Sequence, residues 1–167
     1  MDFLEYTPCI SNNVYISKGA HVIGQTIIEE ESSIWFGAVL RGDINQINVG
    51  KYTNIQDNTT IHVSKDNLAS IGSYVTIGHN CVIHGCKISD YCLIGMGSII
   101  LDGAEVGEYS IVGAGSLITS NKKFPSGVLI LGSPAKVIRE LTEEEKNNII
   151  KSAKNYVETA KKYMKNN

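Results

Sequence analysis

The chain is 167 residues long, 43% hydrophobic and 19% charged, with a formal net charge of −2. Those values describe one soluble globular domain, and a charge so near neutral gives no electrostatic reason to expect nucleic acid or an anionic membrane as partner. No apolar run approaches a membrane span, the acid-bearing start MDFLEYTPCI lacks the apolar stretch of a signal peptide, and four cysteines without a CxxC pair point to reduced thiols in the cytoplasm.

From the N-terminus, apolar residues recur every six positions: Ile10, Ile16, Val22, Ile28, Ile34 and Leu40. The phase resumes at Val49, Ile55 and Ile61, again at Ile71, Ile77 and Ile83, and runs through Ile88, Ile94, Ile100, Val106, Val112 and Ile118, eighteen hexapeptides in all. Four residues after most anchors stands a small side chain, among them Ala38, Thr53, Thr59, Cys81, Cys92, Ser98, Ala104 and Ser110. A period of six fits neither a 3.6-residue helix nor a hairpin meander. It fits short strands and tight corners stacked as a parallel β-helix, with anchors filling the interior and small residues at the turns. Taken three to a coil, the hexapeptides build a triangular prism of six coils. Sixteen glycines suit so many turns.

The repeat breaks in three places: Leu40 to Val49 is nine residues, Ile61 to Ile71 is ten, and Ile83 to Ile88 is five. With three hexapeptides per coil, all three breaks begin on one face. The residue after the anchor there is Arg41, then His62, then His84. Side chains alternate along a strand, so with the anchor inside these three point outward in one column. Stacked strands lie about 4.8 Å apart, and ligating nitrogens of a tetrahedral zinc site lie roughly 3.4 Å apart, so His62 and His84 can share one ion. His79 sits two positions after Ile77 on another face, matching Asp57 one coil earlier with Gln56 beside it. It cannot easily turn the corner to join the other two within one chain. The simplest resolution is a homotrimer with His62 and His84 from one chain and His79 from its neighbour. Imidazole suits Zn2+, and Fe2+ or Co2+ also fit nitrogen ligands.

The other polar residues have plainer readings. Cys81 and Cys92 occupy the small-residue register, and Cys86, beside the five-residue step, is a weak ligand candidate. Asp90 and Asp102 read as ordinary turn residues, and His21 as surface. After Ile118 the hexapeptides fade into a loop punctuated by Pro125 and Pro134. A helix follows over 141–167, with Thr142 and Glu145 as a capping box and a stripe of Ile149, Ile150, Ala153, Tyr156, Val157, Ala160 and Met164. It packs on the 1–140 solenoid within a single domain. Tyr156 is a candidate catalytic residue as well as a packing one.

The segments RGD at 41–43, TNIQDN at 53–58, IGHNCVIHGC at 77–86, IGMGS at 94–98 and GSPAKVIREL at 132–141 resemble the γ-class carbonic anhydrase-like family. The resemblance implies a left-handed β-helix, a homotrimer with metal sites between subunits, and hydration of carbon dioxide to bicarbonate by a zinc-bound hydroxide. It implies an Arg41–Asp57 ion pair across the interface, Gln56 hydrogen-bonding near the metal-bound water, and Asp43 among the residues supporting the site or the interface. The archetypal enzyme carries glutamates in acidic loops beside the metal. Here Ile44 follows Asp43, and the loop after His62 holds only Asp66. Fast turnover needs a proton path, so hydration is expected to be weak. Two alternatives are a hexapeptide acyltransferase or coenzyme A thioesterase, and a scaffold trimer whose metal only ties subunits together.

Overall fold

In a computed structural model, which describes residues 1–165, the chain winds as a parallel β-solenoid with three faces and one C-terminal α-helix, Glu143–Lys165. The hexapeptide anchors build it. One face stacks Ile16, Ile34, Ile55, Ile77, Ile94, Val112 and Ile130; a second stacks Leu40, Ile61, Ile83, Ile100 and Ile118. The third carries Ile10, Ile28, Val49, Ile71, Ile88, Val106 and Phe124. Ile34, Leu40, Ile55, Ile61, Ile77, Ile83, Ile94 and Ile100 have no exposed surface at all. Each such side chain contributes roughly 1.5–3 kcal/mol by leaving water, so the ladders are the core.

The corners explain the second register. Most turns pass through a residue with positive φ, and the small side chain follows it into the interior. Asn58 (φ 57) precedes Thr59 and Gly97 (φ 69) precedes Ser98, both of them fully buried. On one edge the left-handed positions belong to Tyr52, Tyr74, Tyr91 and Tyr109, whose rings stack with centroids 4.6, 5.2 and 4.6 Å apart. Nothing in the periodicity anticipates this tyrosine ladder.

The repeat runs further than its sequence suggests. Phe124 and Ile130 keep the six-residue phase after Ile118 and are buried, so the first face holds seven parallel strands rather than six. The expected loop around Pro125 and Pro134 is this last coil plus an antiparallel hairpin, Val128–Gly132 with Ala135–Glu140. The aromatic anchor and the prolines disguise the pattern, but the interior space is the same. The hairpin covers the last edge of the sheet, which would otherwise offer unpaired backbone groups.

The helix lies along the first face, against the strands Tyr15–Ile16, Ser33–Ile34, Asn54–Ile55 and Thr76–Ile77. It starts as expected: Thr142 N donates to Glu145 Oε2 at 2.9 Å, and Glu145 N donates to Thr142 Oγ1 at 3.2 Å. Ile149, Ala153, Val157 and Ala160 are buried. Ile150 and Tyr156 are half-buried, and Met164 is exposed, so the buried stripe is narrower than expected. The last two residues of the expected helical segment lie outside the described residues. No described helix is long and apolar enough to cross a membrane.

Candidate metal centre

The second face carries the histidines. Arg41, His62 and His84 pair in register on three successive strands, as their common place after the anchor requires. The two imidazoles tilt towards each other, with centroids 5.1 Å apart, and His62 Nδ1 lies 3.1 Å from His84 Nε2. Each ring's other nitrogen meets a carboxylate. His62 Nε2 is 2.9 Å from Asp43 Oδ1, and His84 Nδ1 is 2.7 Å from Asp102 Oδ1.

These carboxylates arrive by different routes. Asp43 lies on the long strand Val39–Val49, which runs past the corner because nine residues separate the anchors there. Arg41 forms an ion pair with it from the same strand. Burial alone would raise the Asp43 carboxyl, but hydrogen bonds from His62 and Arg41, with the Arg41 charge, outweigh it and hold the group below its ordinary value. Asp102 comes from the next coil, in the turn after Ile100. Its reading as an ordinary turn residue is therefore incomplete: its carboxylate is the partner of His84.

His79 stands apart, as its spacing requires. Its Nδ1 is 2.9 Å from Asp57 Oδ2, the residue stacked one coil before it. Among the described residues, no group of three His, Cys, Asp or Glu side chains is placed to hold an ion within one chain. Cys86 is no ligand candidate, since its side chain lies in the hydrophobic core and burial pushes its thiol up to about 12. Within the chain Arg41 pairs with Asp43 and Asp57 with His79.

The His79–Asp57 pair borders two cavities of about 430 and 420 Å³. The first is lined by His79, Gln56, Leu93, Met96 and Ile111, and is mostly apolar. Gln56 is buried, its Nε2 donating to Asn54 Oδ1 at 3.0 Å. The second cavity joins Asp57 to Tyr156, Trp35, Phe36 and Tyr163. Burial and then the Asp57 charge raise the Tyr156 phenol. Ile44 is 55% exposed, and Asp66 lines a separate cavity with Asn45, Lys87 and Glu105.

Beside the histidines the second face presents apolar side chains outward: Val82, Ile99 and Leu117, stacked in register and partly exposed. Beside His79 stand Leu93, Ile111 and Met96, the last 58% exposed. Each half of the histidine set thus lies within an apolar patch.

Comparison with known proteins gives the following. Residues 85–120 match the family model described as bacterial transferase hexapeptide (six repeats). The chain is 53% identical over 148 residues to a Methanocaldococcus jannaschii protein named "Probable carbonic anhydrase", covering 89% of this chain and 93% of that one. It is 45% identical over 166 residues to γ carbonic anhydrase 2, mitochondrial, of Arabidopsis thaliana, covering 96% of this chain but only 60% of the relative's length. Among solved structures, a hexapeptide transferase family protein from Anaplasma phagocytophilum superposes with a TM-score of 0.93 at 42% identity, covering 97% and 96% of the two chains.

Proposed function

The chain belongs to the γ-class carbonic anhydrase-like family of hexapeptide-repeat proteins, and from that membership we propose that it is a metal-dependent hydratase of carbon dioxide. In this reading a homotrimer carries three sites between subunits, each taking His62 and His84 from one chain and His79 from the next. The observation that carries it is the 3.1 Å approach of two ring nitrogens, each ring backed by its own carboxylate. That separation is close to the roughly 3.4 Å between ligands of a tetrahedral zinc ion. Carboxylate-backed imidazoles are also the usual donor set around such an ion.

Zn2+, Fe2+ or Co2+ held by three neutral imidazoles supplies the Lewis acidity by which water ionises near neutral pH. The chain's own residues do the rest. Asp43, Asp102 and Asp57 each hold one ring by its far nitrogen. Leu93, Met96 and Ile111 offer an apolar wall beside His79 that suits a small, nonpolar, linear substrate. Gln56, with one amide proton given to Asn54, lies in the same cavity and orients the reacting oxygens. With such an ion bound, the hydroxide it would supply could add to the carbon of carbon dioxide to give bicarbonate, the proton passing to buffer. Tyr156 shares a cavity with Asp57, the partner of His79, and is placed to act on the site from that side. Arg41, at the margin of the histidine face, reaches Asp57 of the adjoining subunit in the assembled trimer.

Neither loop position supplies a proton shuttle, because Ile44 follows Asp43 and Asp66 lines a different cavity, and the carboxylates beside the rings are engaged in holding them. Hydration should therefore be slow and buffer-limited. The buried thiols of Cys81, Cys86 and Cys92 suit a reducing cytoplasm. Acyl transfer needs one histidine base and leaves the second imidazole, 3.1 Å away, without a part in the chemistry.

The test is metal analysis, light scattering and stopped-flow hydration on anaerobically purified protein. We expect about one ion per chain, the mass of a trimer, and a rate that rises with added imidazole buffer. His79→Ala should empty the sites. A monomer that keeps a full complement of zinc would overturn the shared-site reading, and metal-loaded protein inert at every buffer concentration would overturn the hydratase one.

A further inference from the structure

Resting on the metal-centre reading above, we propose that Asp102 is a positioning residue, fixing His84 in the ring orientation and tautomer that leave Nε2 free to ligate. Its Oδ1 is 2.7 Å from His84 Nδ1. An ionised carboxylate only accepts hydrogen bonds, so the shared proton sits on Nδ1. The lone pair is then on Nε2, the atom 3.1 Å from His62 Nδ1. No lysine or arginine forms an ion pair with Asp102 among the described residues, and His84 is the partner of its carboxylate.

The irregular five-residue step makes this contact possible. On this corner the left-handed turn residues are Gly85, Gly103 and Asn121, stacked by hydrogen bonds from Gly103 N to Gly85 O and from Asn121 N to Asp102 O, both 2.8 Å. Gly103 and Asn121 lie three residues after their anchors, whereas Gly85 lies two after Ile83. The turn closes one residue early and draws the corner inward. A β-carbon on Gly85 would lie 2.1 Å from Asp102 Oδ1 and 3.0 Å from the β-carbon of Asn67. A missing residue and a missing side chain together open the space through which Asp102 reaches down one coil to His84. The shortened step has no evident purpose in the core, where Ile83 and Ile88 are buried like every other anchor.

The test uses the full chain with two readouts. In chelator-treated protein, 15N chemical shifts of His84 report which nitrogen bears the proton. In a competition against a chromophoric chelator, zinc affinity reports ligand quality. Wild type should show Nδ1–H. Asp102→Ala should show mixed tautomers and zinc affinity lower by about 10–100-fold, the usual effect of removing such a partner. Asp102→Asn, which keeps an acceptor oxygen, should fall between. The melting temperature of the chelated protein should barely move in either variant, which separates positioning from general damage. Asp102→Ala with His84 still Nδ1–H and wild-type zinc affinity would overturn the proposal, as would wild-type His84 protonated on Nε2. If wild type takes up no zinc, the metal-centre reading fails, while the tautomer still decides the role of Asp102.

Discussion

Gly85 is the residue on which two demands meet. Its φ of +50 is strained for any side chain, at about 1–2 kcal/mol, and its missing β-carbon clears the Asp102 carboxylate. Gly85→Ala should therefore lower stability by about 1–2 kcal/mol in denaturant titration and weaken zinc binding as well. A variant that lost only stability would separate the turn from the site. A second residue-scale consequence concerns acid. The Arg139 hydrogen bond, followed by the Thr142 backbone N–H, pulls Glu145 from an ordinary 4.5 down to about 2. A carboxylate depressed on folding contributes stability that is present above 4.5 and lost as pH falls through 2. Helical circular dichroism should decline between those values, and Glu145→Gln should flatten that decline.

At the scale of elements, the tyrosine ladder shows a local cost partly offset by neighbours. Four tyrosines accept φ of 51–57° where other corners use glycine or asparagine. The three stacked pairs contribute about 0.5–1.5 kcal/mol each, which offsets part of a left-handed strain of about 1–2 kcal/mol per residue. Tyr74 stacks on both sides, against Tyr52 and Tyr91. Tyr74→Ala keeps the strain and loses both contacts, so it should destabilise by about 1–3 kcal/mol. Tyr74→Gly should cost less, because the strain goes with the ring. The reverse order in urea titration would mean that the left-handed position carries no strain, and no loss in either variant would mean that the stack contributes nothing. The strands themselves were legible from the spacing of their isoleucines, because each anchor has one interior to fill. The seventh coil was not, because Phe124 and Pro125 replace the aliphatic–glycine pair that marks the others. Nor were the tyrosines, since the period says where a turn falls and nothing about what stacks outside it.

At the scale of the whole molecule, position after the anchor was enough to bring Arg41, His62 and His84 into one column and to keep His79 out of it. Asp102 was hidden because its contact spans 18 residues of sequence and depends on how far the short step pulls the corner in. The patches at Val82, Ile99 and Leu117 and at Leu93, Met96 and Ile111 should be covered together when His79 of one chain meets His62 and His84 of another. Ile99→Glu should accordingly yield monomers that lose their metal, seen by light scattering and elemental analysis.

Co-assembly asks most directly whether the ligands come from two chains. His79→Ala chains and His62→Ala/His84→Ala chains, each expressed alone, should bind no zinc. Co-expressed in equal amounts, they should recover about a quarter of the wild-type zinc, the share of interfaces in a randomly mixed cyclic trimer that receive all three histidines. Zinc retained at the wild-type level by the His79→Ala chains alone, or none recovered in mixed trimers, would contradict a site built between subunits.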